Sequence, residues 1–180
     1  MGQGNIKYRK VKRTPQTGEN AGKELWYATV VTDREMNFEE FVDHISSHNS
    51  PYSRGTVHGV MMDMLDCLKE LRKRYKLFVL SNTNPYVMDW ACSPAFSSKG
   101  KPLSDYFDKL YLSYQIGVTK PDRQIFDFLI ADADILPSES LFIDDGAGNV
   151  QAARQLGFQT YCPHNGEDWR DALTVLLQKS

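Results

Sequence analysis

Three polar clusters in this sequence each follow an apolar run or open a helix. They are Ser81-Asn82-Thr83-Asn84, Lys120 within Gly117-Val118-Thr119-Lys120-Pro121, and Asp144-Asp145. Hydroxyl and amide groups can donate to phosphoryl oxygens, and a lysine can offset their charge. Paired carboxylates supply the hard oxygen ligands that magnesium takes. A phosphate held together with a magnesium ion needs that combination. Taken singly, each cluster has an ordinary reading. Ser81 could cap a helix, Lys120 could be a solvated loop lysine, the aspartates could cap the next helix, and Asn149 could be a surface residue. Adjacent carboxylates at the end of a buried strand repel one another unless a cation compensates. In open α/β sheets, ligands bind at the carboxyl ends of the strands, and the clusters stand there in order.

The elements that must position them are legible from pattern. Leu77–Leu80 and Leu141–Ile143 are apolar runs without alternation, as in strands of a parallel sheet covered on both faces. Leu110–Leu112 and Phe158–Tyr161 read as further strands. Met61–Tyr75 reads as an amphipathic helix with Met61, Met64, Leu65, Leu68 and Leu71 on one face. Pro121 fits the first position of a helix carrying Ile125, Phe126 and Leu129. Another helix passes through Val150, Ala153 and Leu156, and Gly157 stops it. Alternating strands and helices predict an α/β fold with a doubly wound parallel sheet.

The N-terminal third is less regular. Residues 1–24, rich in Gly, Gln, Asn and Lys, read as an unstructured tail. Leu25–Thr32 suits a strand by its β-branched and aromatic content or a short buried helix, and periodicity cannot arbitrate. Asn37 with Glu40 forms a capping-box pattern that starts a helix through Phe38, Phe41 and Ile45. Ser50–Gly55 reads as a loop.

FVLSNTN, GVTKPDRQIF and LFIDDGAGNVQAARQLGFQTY resemble the second, third and fourth motifs of the haloacid dehalogenase-like (HAD) superfamily. The likeness covers roughly residues 60–172. SNTNP, the Trp90-Ala91-Cys92 run, DYFDKLYLSYQIG and GEDWR resemble its phosphatase-like branch with a small helical cap. The resemblance implies a Rossmann-like core over residues 61–180 and a partial cap over 25–60. It implies that Ser81 bonds the transferring phosphoryl group, with Asn82 and Thr83 beside it. Lys120 would stabilise the charge, and Asp144 and Asp145 would bind Mg2+ with Asn149 in support. The implied partner is a small phosphorylated substrate, and the implied activity is a magnesium-dependent phosphatase. A halide-removing branch fits less well, because that chemistry needs no magnesium and the Asp144-Asp145 pair would be idle.

Such enzymes attack phosphorus with an aspartate in an Asp-x-Asp element after the first strand. No Asp-x-Asp follows an apolar strand before Ser81 in this sequence. The expectation is a truncated, fragmentary or degenerate copy, inactive as given. A non-catalytic phosphate-binding or interaction module is the competing reading. Asp33, with Glu35 as acid, is a possible stand-in nucleophile, but glutamate is longer and would misplace its proton. In the family, the first strand lies between the Ser81 strand and the Asp144 strand. Without it, Leu25–Thr32 must fill the slot, or the sheet is split, or stability is lost.

The chain has 180 residues, 41% hydrophobic and 24% charged, with a net charge of −2. Those values fit one globular domain and give no global reason to expect nucleic acid or an anionic membrane. The basic run Lys7–Arg13 reads as solvated rather than phosphate-binding. No apolar run approaches the roughly 20 residues that span a bilayer. Cys67, Cys92 and Cys162 are odd in number and widely spaced, so a reducing cytoplasm is expected. His44 and His48 stand four apart, but no accompanying acid completes a zinc pattern.

Overall fold

A computed structural model describes residues 8–13, 22–30, 36–47, 51–164, 167 and 169–177. Its central elements are two pairs of parallel strands. β3 (Phe78–Ser81) pairs with β4 (Lys109–Leu112), from Phe78 opposite Lys109 to Ser81 opposite Leu112. β5 (Leu141–Ile143) pairs with β6 (Gln159–Tyr161). Parallel neighbours need long crossovers, usually helical. α3 (Pro85–Ala91) and α6 (Ala147–Gln155) lie within those two connections. α4 (Ser113–Ile116) and α5 (Arg123–Ala133) connect the two pairs.

Both pairs share one core. Ile125 and Phe126 of α5 are fully buried against Phe142 of β5, Ala153 of α6 and Phe158, and Leu80 of β3 packs on the same cluster. Phe126 meets Phe142 edge-on, with ring centroids 5.4 Å apart, a geometry favoured by the aromatic quadrupole.

Among the described residues, no ladder joins β3 to β5. Leu25–Val30, the described part of Leu25–Thr32, does not fill the slot between them. β2 (Leu25–Val30) pairs antiparallel with β1 (Tyr8–Arg13) over six residue pairs. Tyr8–Arg13 is thus a strand within the stretch 1–24 that the sequence reading expected to be an unstructured tail, and residues 1–7 and 14–21 lie outside the described residues. A β-branched, aromatic segment needs a strand partner, and Tyr8–Arg13 provides it, with Lys12 Nζ 2.7 Å from Glu24. The sheet is therefore split, and all four β3 residues are only partly buried.

The helices ahead of β3 follow their caps. The Glu40 amide donates to Asn37 Oδ1 and the Asn37 amide to Glu40 Oε2, both at 3.0 Å. That box starts α1 (Phe38–Ser47), which buries Phe38 and Val42. α2 (Arg54–Arg72) begins earlier than periodicity predicted and ends three residues sooner. Ser53 is its cap, accepting from the Thr56 amide at 3.1 Å, so Arg54 and Gly55 are helical rather than loop. α2 runs unbroken through residues 60 and 61, the boundary expected between cap and core. On its apolar face Leu65 is buried, whereas Met64 is exposed. Trp90 Nε1 of α3 donates to Met36 O at 2.6 Å, and its ring lies against Phe41 and Phe96. α7 (Arg170–Leu177) closes the described chain. No described helix is long and apolar enough to cross a membrane.

Tyr106 is 1% exposed, yet its hydroxyl has no hydrogen-bond partner among the described residues. A buried unpaired hydroxyl carries a desolvation cost of about 1–3 kcal/mol. Tyr106→Phe should therefore leave stability unchanged or raise it. A urea midpoint below that of the parent would contradict this.

Candidate functional site

Lys120 lies in the turn between α4 and α5. Gly117 ends α4 at φ +84°, a left-handed conformation that glycine adopts freely, and its amide donates to Ser113 O at 2.8 Å. α5 then starts at Arg123, not at Pro121 as the sequence suggested. The Asp122 carboxylate caps it, accepting from the Gln124 amide at 2.9 Å, so Pro121 stays in the turn.

The Lys120 ammonium joins the two halves of the sheet. Nζ lies 2.6 Å from Leu80 O of β3 and 2.6 Å from Asp144 Oδ2 at the end of β5. The side chains are 9% and 8% exposed, so the pair is shielded from water and matters in a way surface pairs do not. Nζ also stands 5.7 Å from the centroid of the Phe142 ring. A lysine ammonium has three N–H donors, and two are committed here.

Asp144 is held from both oxygens. Oδ1 accepts from the Gly146 amide at 2.8 Å and from Asn149 Nδ2 at 2.9 Å. Burial pushes the Asp144 carboxyl up, but bonds from Lys120, Asn149 and Gly146 outweigh it and hold the group below the usual carboxylate range. Gly146 keeps this turn open. A Cβ there would fall 2.7 Å from Asn149 Nδ2 and 2.9 Å from Asp144 Oδ1. Asp145, next in the chain, is exposed, and its carboxylate has no hydrogen bond or ion pair among the described residues.

The loop after β3 is fixed by two clamps. Asn82 Nδ2 donates to Lys120 O at 2.9 Å, and the Lys120 amide donates to Asn82 Oδ1 at 2.8 Å. The Thr83 amide donates to Ser113 Oγ at 3.1 Å, and Ser113 Oγ donates to Thr83 O at 3.3 Å. The Ser81 hydroxyl, half-buried at the strand end, has no partner among the described residues. Asn84 is the cap of α3, accepting from the Val87 amide at 3.2 Å.

The structure thus links the Ser81–Thr83 loop, Lys120, Asp144 and Asn149 in one network, with Asp145 adjoining it. Asp33, Glu35 and His48 lie outside the described residues. Sequence reasoning missed Ser113, which is 5% exposed. The signal was present, because Ser113 follows the apolar Leu110–Leu112 strand as Ser81 follows Leu77–Leu80. Ser113→Ala leaves the Thr83 amide unpaired and should cost about 1–3 kcal/mol, read as a lowered midpoint in chemical unfolding.

The donor set suits a hard cation in part. Among the described residues, no group of three His, Cys, Asp or Glu side chains could hold a metal. Magnesium is commonly bound by one or two carboxylates, with water and substrate oxygens completing its shell. The free Asp145 carboxylate beside Asp144 fits that pattern.

The sequence model of the haloacid dehalogenase-like hydrolases matches residues 20–157. The chain belongs to that family. It is 58% identical over 123 residues to D-ribitol-5-phosphate phosphatase of Bacteroides thetaiotaomicron, covering 68% of this chain and 60% of that protein. The HAD core accounts for the α/β architecture and its parallel strands. A predicted HAD-like hydrolase from Porphyromonas gingivalis superposes with a TM-score of 0.64 at 43% identity, over 80% of this chain and 75% of the other. A HAD family enzyme from B. thetaiotaomicron, solved with magnesium and inorganic phosphate, superposes with a TM-score of 0.58 at 36% identity, over 76% and 74% of the chains.

Proposed function

We propose that this HAD chain binds magnesium and the phosphoryl group of a small phosphorylated metabolite, of the polyol- or sugar-phosphate class, and that the sequence as it stands does so without turnover. The observation that carries the reading is the Lys120 ammonium. Two of its donors are fixed by Leu80 O and Asp144, which leaves one N–H for an incoming anion at the end of β3, where Ser81 follows Leu80 with a hydroxyl that has no partner among the described residues. Ser81 donates to a phosphoryl oxygen and Lys120 offsets its charge. Asn82 and Thr83 shape the loop around it. Asp145 holds the metal, and Asp144, supported by Asn149, aligns Lys120 and meets the metal through water. A bound magnesium ion would stabilise negative charge on the phosphoryl oxygens. The phosphatase named among the relatives supports the substrate class, although this chain spans 60% of its length.

The reading without turnover rests on the sequence, which has no Asp-x-Asp after an apolar strand before Ser81. The test is calorimetric titration with inorganic phosphate, with and without magnesium, beside hydrolysis of p-nitrophenyl phosphate. The expected result is magnesium-enhanced binding and no hydrolysis. Absent binding rejects the site. Hydrolysis rejects the inactive reading, and Asp33→Asn then decides whether Asp33 is the nucleophile.

A further inference from the structure

We infer that Asn82 is a positioning residue for Lys120 and not a ligand for phosphate. This rests on the function proposed above, and it assigns Asn82 a different task within it. The side-chain amide of Asn82 presents a donor and an acceptor with the spacing of a peptide group. Both are spent on one residue: Nδ2 on Lys120 O at 2.9 Å and Oδ1 on the Lys120 amide at 2.8 Å. The clamp resembles a single rung of a strand ladder, made by a side chain. Its counterpart lies at the other end of the lysine, where Nζ meets Leu80 O at 2.6 Å. Lys120 is therefore gripped at root and tip by residues flanking Ser81.

That arrangement sets the distance between the two groups offered to the anion. Ser81 is carried by β3, whereas Lys120 stands on a turn 39 positions later, whose path is otherwise fixed by α4 and α5. Among the hydrogen bonds of the described residues, the Asn82 clamp ties the Lys120 backbone to the Ser81 loop. Replacing Asn82 removes no charge from the site. It frees the root of Lys120 while leaving Ser81, Asp144 and Asp145 in place.

The experiment pairs two readouts on the full chain. The first is the Lys120 ammonium resonance in proton–nitrogen spectra, assigned by its disappearance in Lys120→Met. In the parent it should be visible and slowly exchanging, because Nζ is buried and doubly bonded. In Asn82→Ala it should broaden or vanish while the amide spectrum of the core is retained. The second is calorimetric affinity for inorganic phosphate with magnesium. Loss of two hydrogen bonds should weaken binding about 10-fold. In a Lys120→Met background the same substitution should add less than about twofold, since groups acting as one unit are not additive. Should Asn82→Ala fail to fold, Asn82→Asp replaces it for the ammonium readout. It keeps the acceptor for the Lys120 amide, loses the donor to Lys120 O, and should broaden the resonance partially. An unchanged ammonium resonance overturns the inference. So does an equal loss of affinity with and without the lysine, which marks Asn82 as a direct ligand. If the parent binds no phosphate, the proposed function fails, and the ammonium resonance alone decides the role of Asn82.

Discussion

Lys120→Met should lower stability by about 3–5 kcal/mol, the cost of removing one partner from a buried ion pair. Methionine keeps an unbranched apolar stem one atom shorter than lysine, so most of the loss comes from charge and hydrogen bonding. Asp144 would keep its contacts with Gly146 and Asn149 but lose the ammonium that offsets its burial. The acid limb should move with it. In the parent, the Asp144 carboxyl lies below its ordinary value, against the push of burial, because of Lys120, Asn149 and Gly146. A group depressed on folding stabilises the protein fully above its unfolded value, about 3.9 for aspartate. That contribution disappears as pH falls through the lower folded value. Without Lys120 its hydrogen bond and charge no longer oppose burial, so the folded value rises and acid unfolding should begin at higher pH. Urea unfolding between pH 7 and pH 3 reads both effects. An unshifted acid limb would show that the pair does not hold Asp144 ionised.

Supplying a peptide with a β-branched apolar strand ending in Asp-x-Asp should produce the second large effect. Leu80 O and Asp144 both reach the same ammonium from strands that share no ladder. A strand added there would bring carboxylates to the Lys120 ammonium that joins the ends of β3 and β5. Magnesium-dependent hydrolysis of p-nitrophenyl phosphate should rise by about 10²–10⁴-fold over the uncatalysed background, the range a positioned acid–base group supplies. The rise should vanish when the first aspartate of the peptide is asparagine. Hydrolysis that ignores the peptide would count against the slot as the place where the nucleophile belongs.

The elements that carry the candidate residues were readable because strand ends and turn residues impose local rules. The runs before Ser81 and Asp144 are apolar without alternation, and each ends in groups that cannot be buried unpaired. The Asn37–Glu40 box and Gly157 marked helix ends by the same local logic. The start of α2 was less legible, because Ser53 acts as a cap without an acidic partner three residues on. The N-terminal hairpin was hidden for another reason. Tyr8–Arg13 is a strand by virtue of its partner, and a basic segment of this kind shows no burial pattern of its own. Most consequential were long-range bonds. Asn82 and Lys120 are 38 positions apart, and nothing in either residue announces that one side chain grips the backbone of the other.

Among the described residues β3–β4 and β5–β6 are each two-stranded, so each strand has one flank of peptide groups outside any ladder. Such flanks template the pairing of neighbouring chains. Solubility of this molecule in concentrated solution is therefore tied to whatever shields the open flanks of these strands. Among the described residues, the tether through Lys120 guards one point on β3, Leu80 O.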